Sequence, residues 1–82
     1  MVELDKVLRD LVLPMVEEKD HLEVRILPSE NEKEVVLGVY AKSDDVARLI
    51  GRRGMMATAL RQVVSVASHA DNKRVTINFE EI

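Results

Sequence analysis

Apolar residues at the start of the chain recur at the three- and four-residue spacing of an amphipathic helix. They share one predicted helical face: Leu4, Val7, Leu8, Leu11, Val12 and Met15. Pro14 falls inside this segment, and a proline in a helix interior clashes with the preceding turn, so we expect an interruption or kink there. The acidic run at residues 17–21 ends the helix, which we place at about residues 3–18.

Two segments with strand character follow this helix. Residues 22–26 alternate apolar and polar positions, which is typical of a half-buried strand. A polar connection at residues 28–33 leads to a more apolar segment at residues 35–41, and we expect the two strands to form a hairpin. We assign the core face of the second strand to Val35, Leu37, Val39 and Ala41, and its other face to Val36, Gly38 and Tyr40.

A short helix is predicted at residues 44–50, where it stops before Gly51. Ser43 is a suitable N-cap because its hydroxyl can accept a hydrogen bond from a free backbone N–H. Asp44 and Asp45 suit the positive end of the helix dipole, so we interpret them as helix-start residues rather than as an acid–base pair.

The longest predicted helix runs from Met55 to about His69. Its expected core stripe consists of Met56, Leu60, Val63, Val64 and Ala67. A turn at Asp71-Asn72 separates it from a last alternating strand at residues 74–79. The inward positions of that strand are Val75, Ile77 and Phe79.

The predicted order of elements is α-β-β-α-α-β in a single domain, residues 1–82, with a core at about residues 22–80. The second and third strands are joined through two helices, so they can run parallel by a crossover connection. We therefore predict an α+β fold with one three-stranded mixed sheet and three helices on one face.

The connection between the second and third helices is Gly51-Arg52-Arg53-Gly54, a G-x-x-G turn with two arginines. Glycine lacks a Cβ, so both ends of the turn can adopt tight geometry and leave room for a phosphate. Backbone N–H groups that open the next helix point toward such an anion. The spacing alone is a weak signal, but between two helices it indicates a nucleic-acid contact.

The distribution of charge bears on this interpretation, because the formal net charge is −3. Residues 1–45 hold 6 Lys and Arg against 12 Asp and Glu, whereas residues 46–82 hold 6 against 3. The positive half contains the turn, and its basic residues are Arg48, Arg52, Arg53, Arg61, Lys73 and Arg74. A local basic patch suits phosphate contact, while the acidic remainder weakens long-range attraction.

Taken together, these features resemble a known family. The element order, with Ile-Gly-x-x-Gly between the second and third helices, is similar to a type II KH domain. The whole chain resembles the small bacterial single-KH proteins of the KhpA type, most specifically at residues 44–61 and also at residues 11–16. Family members usually carry a basic residue and then a threonine-like residue after the second glycine. Met55 and Met56 stand there in this chain, while Arg53 adds a cation inside the turn.

The resemblance implies RNA binding without catalysis. It implies that the turn at residues 51–54 clamps the phosphates of about four nucleotides of single-stranded RNA, with Ile50 at the end of the apolar groove floor. We place Arg48, Met55 and Arg61 beside this clamp as rim or groove residues. The resemblance also implies association, either as a homodimer or with a larger KH-containing RNA-binding protein, in bacterial RNA regulation or RNA chaperoning.

A protein–protein interaction module with a KH fold and little RNA affinity is the alternative. The third predicted helix carries a second, partly apolar stripe outside its core face, made of Met55, Ala59 and Val66. Adjoining exposed apolar residues mark a contact surface. The acidic first half of the chain keeps this alternative open.

Several other classes find no support in the sequence. There is no cysteine, so neither a disulfide framework nor a thiolate metal site exists. His21 and His69 have no partner at metal-ligand spacing, and no serine has a histidine placed to activate it. The first residues do not form a typical signal peptide, and the longest apolar run is too short to span a membrane. We therefore predict a cytoplasmic, non-enzymatic protein without a cofactor.

Overall fold

A computed structural model describes residues 3–68 and 73–82. Within them lie α1 (Leu4–Val12), β1 (Glu23–Leu27), β2 (Glu34–Ala41), α2 (Ser43–Ile50), α3 (Met55–Ser68) and β3 (Arg74–Glu81). Short 3-10 turns occupy Leu13–Met15, Lys19–His21 and Arg52–Gly54. The predicted element order and α+β class are confirmed. His69 and the predicted turn at Asp71-Asn72 lie outside the described residues.

Helix α1 is interrupted at the proline, as the sequence indicates, but it is shorter than expected. The α-helix ends at Val12, and Pro14 lies in the following 3-10 turn, after which Val16 is extended. The expected end near residue 18 is thereby corrected: Leu13 keeps helical backbone angles, but Pro14 has no N–H to continue the helical hydrogen-bond ladder and its ring crowds the preceding turn. The inner face of α1 still joins the core through Leu8 and Val12.

The sheet has β2 in its centre. Strand β1 pairs with it antiparallel, with Glu23 opposite Tyr40, and β3 pairs with it parallel, with Glu34 opposite Arg74. Both α2 and α3 lie in the connection between the parallel strands. The predicted mixed sheet and parallel crossover are therefore confirmed.

The predicted inward faces of the strands are also confirmed. Leu37, Val39 and Ala41 are fully buried, and Val75 is nearly so. Val35, Ile77 and Phe79 are partly buried and pack against the same cluster. Helix residues complete this core from one side of the sheet: Leu4, Leu8, Val12, Val46, Leu49, Leu60 and Val64.

The orientation of α3 differs from the expected one at two positions. Leu60 and Val64 are buried as predicted, but Met56 and Val63 are 38% and 50% exposed. Apolar residues extend around more than half of this helix, and only one side of it can face the sheet. Ser68 is fully buried at the end of the covered side, where its hydroxyl donates to the carbonyl oxygen of Ser65.

Candidate nucleic-acid interface

The turn between α2 and α3 has unusual backbone geometry. Gly51, Arg53 and Gly54 all have positive φ values, 76°, 56° and 75°. The turn is closed by a 3.2 Å hydrogen bond from the Gly54 N–H to the Gly51 carbonyl oxygen. Arginine in this left-handed region costs about 1–2 kcal/mol, because its Cβ crowds the following carbonyl oxygen. The strained residue is one of the two predicted to contact phosphate.

The two glycines of the turn have different surroundings. A Cβ placed on Gly51 would meet the Cβ of Met56 at 2.8 Å and its backbone nitrogen at 3.0 Å. Gly51 therefore lets the end of α2 pack closely against the start of α3. A Cβ placed on Gly54 would meet nothing within 4 Å. The backbone at Gly54 is thus open to an approaching molecule.

Arg52 and Arg53 are exposed on this turn. The ion pairs found within residues 3–68 and 73–82 involve other basic side chains: Lys6, Arg25 and Arg48. The charges of both turn arginines are therefore available to an anion that approaches Gly54.

Arg48, predicted at the rim of the same site, is engaged differently. Its guanidinium contacts an Asp45 carboxylate oxygen at 2.9 Å and a Glu17 carboxylate oxygen at 3.3 Å. Arg48 is still partly exposed, but two neighbouring carboxylates offset its charge. Its contribution to anion binding is expected to be smaller than that of Arg52 or Arg53.

Asp45 connects α2 to the segment that follows α1. Its carboxylate accepts hydrogen bonds from the backbone N–H groups of Glu17 and Glu18 at 2.9 and 3.1 Å, and its side chain is almost fully buried. These two hydrogen bonds, with a smaller effect from the Arg48 guanidinium, hold the pKa of the carboxyl below its ordinary value. Asp45 thus anchors residues 17–18 to α2.

This arrangement corrects the expected helix start. Lys42, not Ser43, is the N-cap of α2, because the Val46 N–H donates to the Lys42 carbonyl oxygen, and no side chain caps the helix. The i,i+3 spacing of Asp45 and Arg48 could have indicated their ion pair. The partners of Asp45 near residue 17 are remote in sequence, and no local pattern identifies them.

Apolar side chains lie next to the turn. Ile50 is 36% exposed and Met55 is 69% exposed, so both present surface to solvent beside the arginines. A shallow depression between α3 and β3 lies farther along, lined by Ala57, Thr58, Arg61, Ile77 and Phe79. The structure therefore places the predicted residue Arg61 beside the outer edge of the core. Ile77 and Phe79, which the sequence pattern predicts only as core residues, border this depression because β3 forms an edge of the sheet.

The described residues contain neither a metal-binding cluster nor a membrane-spanning helix. No group of three or more His, Cys, Asp or Glu side chains that could hold a metal ion occurs in the described ranges. Nor does any helix in those ranges have the length and apolar character needed to cross a bilayer.

A G-x-x-G turn between two helices, set in an α-β-β-α-α-β fold with a parallel pair of strands, defines this molecule as a type II KH domain. The chain belongs to the KhpA/KhpB KH-domain family, whose family model matches residues 5–79.

Curated relatives agree with this assignment. The RNA-binding protein KhpA of Oceanobacillus iheyensis is 35% identical over 57 residues, which cover 70% of this chain and 76% of that protein. The RNA-binding protein KhpA of Borreliella burgdorferi is 29% identical over 69 residues, 84% of this chain and 82% of the relative. That of Treponema pallidum is 34% identical over 57 residues, 70% and 71% of the two chains. Family membership confirms the resemblance noted in the sequence and the expectation of a non-catalytic protein.

Proposed function

We propose that this protein binds single-stranded RNA through the turn at residues 51–54. The observation that carries the proposal is the open backbone at Gly54 directly after two exposed arginines that have no ion-pair partner in the described residues. A phosphate can approach the Gly54 backbone because no atom beyond the neighbouring residues lies within 4 Å of where a Cβ would stand, while Arg52 and Arg53 supply positive charge. The names of the relatives, which are RNA-binding proteins, support the same conclusion.

The surface beside the turn suits the bases of the same strand. With the phosphates at residues 51–54, bases can contact Ile50 and Met55 and then the depression bordered by Ile77 and Phe79. Such a groove holds about four nucleotides, because KH domains recognise short unpaired segments. A single domain of this kind binds modestly, so a second RNA-binding unit would raise the overall affinity through avidity.

An exposed face of α3, which we call the α3 stripe, supports association. Its members are Met56, Ala59, Val63 and Val66, and all four are exposed. The stripe would contact a second copy of the chain or a larger KH-containing RNA-binding protein. Either assembly places two RNA-binding surfaces on one complex, which suits a cytoplasmic role in bacterial RNA regulation or RNA chaperoning.

Reversing the charge of both turn arginines tests the proposal. In the variant Arg52→Asp with Arg53→Asp, two anions replace two cations beside the phosphates, and we expect RNA affinity to fall at least tenfold. Binding of a fluorescent oligouridine to the wild type should also weaken with salt, with a log–log slope of about −1.5 to −3 for two to four phosphate contacts.

The matched control is Lys6→Asp with Arg9→Asp, which makes the same change of charge on α1. Circular dichroism establishes that each variant is folded. If the folded turn variant binds RNA as the wild type does, the turn is not the clamp. If the wild type shows no RNA affinity at all, the exposed α3 stripe favours a protein–protein interaction module instead.

A further inference from the structure

A second groove lies at the other end of α3, away from the turn. It has a volume of about 870 Å³ and opens between the last turns of α3, the start of β3 and the β1–β2 connection. Ser65 lines this groove, and because an α-helix rises 1.5 Å per residue, it lies about 15 Å along the axis from Met55. We call this the distal groove.

The distal groove is strongly basic in a protein with a net charge of −3. Its charged lining consists of one acid, Glu34, and four basic residues, Lys33, Arg61, Lys73 and Arg74. Across the described ranges, no carboxylate lies within 4.0 Å of any of these four cations. Lys6, Arg25 and Arg48, by contrast, all have carboxylate partners elsewhere on the surface.

The backbone that carries these cations is held in place by hydrogen bonds. The Arg74 N–H donates to the Lys33 carbonyl oxygen at 2.7 Å, which joins the two sides of the groove mouth. The Lys33 N–H donates to the Asn31 side-chain oxygen at 2.9 Å, and the Ser68 hydroxyl oxygen, whose proton goes to Ser65, lies 3.3 Å from the Lys73 carbonyl oxygen. Hydrogen bonds therefore hold the backbone segments that carry these positive charges.

Arg61 connects the distal groove with the RNA-binding surface proposed above. It lines both the depression that contains Ile77 and Phe79 and the distal groove. The two depressions thus adjoin at Arg61 along α3 and β3, and we call them together the channel. Lys33 and Arg74 border the end of the channel that is farther from the turn.

We infer that a single-stranded RNA held at the turn continues along this channel, and that the distal groove contacts the phosphates of nucleotides beyond the first four. The inference rests on the proposed function, since the same strand occupies both parts. Phosphates along one strand repeat at regular intervals, and a row of cations without carboxylate partners suits such a ligand better than it suits a single small anion. The binding site is accordingly longer than a four-nucleotide clamp.

The variant Lys33→Gln with Arg74→Gln removes two of the distal charges and leaves the turn intact. We expect it to weaken binding of a ten-nucleotide oligouridine about tenfold. Binding of a four-nucleotide oligouridine at the turn should be unchanged. The log–log salt slope for the longer RNA should become shallower by about 1.4, which corresponds to two lost contacts. A long RNA can bind in more positions than a short one. Each variant is therefore compared with the wild type at the same RNA length.

A control variant, the turn variant and an NMR titration of the wild type distinguish the possible outcomes. The control Lys6→Gln with Arg9→Gln loses the same charge on α1 and should bind both RNAs as the wild type does. The turn variant Arg52→Asp with Arg53→Asp should weaken binding of both lengths. In an amide NMR titration of the wild type, the signals of Ser65 and Arg74 should shift with the ten-nucleotide RNA and remain in place with the short one.

Wild-type affinity of the folded Lys33→Gln, Arg74→Gln variant for the long RNA would overturn the inference while the proposed function stands. An equal loss of affinity for both lengths would also overturn it, because the distal residues would then act on the clamp itself. No binding of either RNA by the wild type would overturn the proposed function together with this extension of it.

Discussion

Gly51 and Gly54 occupy equivalent positions in the motif, yet different physical constraints act on them. Both have positive φ, so each favours glycine on conformational grounds. At Gly51 the neighbouring Met56 also excludes a side chain, whereas at Gly54 the surrounding space is open. Gly51 therefore serves the packing of α2 on α3, and Gly54 leaves a surface at which a phosphate can approach the backbone.

Substituting each glycine with alanine should separate these two roles. Gly54→Ala is expected to cost about 1–2 kcal/mol of folding free energy from its conformation alone. Gly51→Ala carries a conformational cost of about 1–3 kcal/mol, because its φ of 76° and ψ of 176° lie in a region that is essentially restricted to glycine, and about 1–3 kcal/mol more from the overlap with Met56. Urea denaturation measures both losses, and titration with a short oligouridine measures the effect of Gly54→Ala on binding. Equal destabilisation by the two substitutions would contradict the packing role of Gly51.

The candidate site could be predicted in part from individual residues. The sequence Gly-Arg-Arg-Gly between two helical patterns identifies the turn, because the backbone freedom of glycine and the charge of arginine do not depend on distant residues. The engagement of Arg48 with Glu17 could not be predicted, since those residues are 31 positions apart and meet only when the segment that follows α1 packs against α2. The sequence shows which charged side chains exist, whereas the packing of the folded chain determines which of them form ion pairs.

Helix α3 has two apolar faces with different neighbours. One face covers the sheet through Leu60 and Val64, and the other is the exposed α3 stripe. The four residues of the stripe follow a three-then-four spacing, at which apolar side chains of two helices interlock in a coiled coil. The stripe therefore fits contact with another helix.

Val63→Glu should disrupt this contact, because Val63 lies near the centre of the stripe and a carboxylate placed there would lose water on association. We expect the wild type to self-associate at high micromolar concentration and the variant to remain monomeric, with association at least tenfold weaker. Light scattering after size-exclusion chromatography measures both. The control Gln62→Glu adds the same charge beside the stripe. A wild type that stays monomeric throughout would leave a different partner protein as the occupant.

The sequence could not decide which side of α3 faces the sheet. Its apolar residues satisfy two overlapping helical stripes, so Met56 and Val63 fit the core pattern as well as Leu60 and Val64 do. The strands presented no such ambiguity, because a two-residue alternation allows only two faces and one of them is clearly more apolar. For this reason the pattern identifies Leu37, Val39 and Val75 as core residues correctly, whereas it is wrong for Met56 and Val63 of α3.

The fold as a whole could be predicted because its order of elements leaves few topologies. A hairpin followed by a two-helix crossover gives a central strand with one antiparallel and one parallel neighbour, which is the observed sheet. The arrangement of charge could be predicted only as a difference between the two halves of the sequence. The distal groove brings Lys33, from the acidic half, beside Arg74, from the basic half, through the register of β2 and β3.

Folding of this chain is linked to proton binding at the buried carboxylate of Asp45. Because its pKa is lower in the folded chain than the ordinary 3.8, unfolding in acid is accompanied by proton uptake at this group. Its contribution to stability is complete above about pH 4 to 5, and it declines as the pH falls through the folded pKa. Physiological pH changes near neutrality therefore leave this contribution unaltered.

The Asp45→Asn variant isolates this effect. At neutral pH it should melt several degrees below the wild type, since the two backbone N–H groups lose a charged acceptor. The gap between the two melting temperatures should narrow as the pH falls below 4, because the Asp45 carboxyl then takes up a proton more readily in the unfolded wild-type chain than in the folded one. Thermal melts followed by circular dichroism from pH 7 to pH 3 measure the gap, with Asp44→Asn as the exposed control. A gap that stays constant with pH would show that Asp45 stabilises the fold through its shape alone and that proton uptake at this carboxyl has no part in acid unfolding.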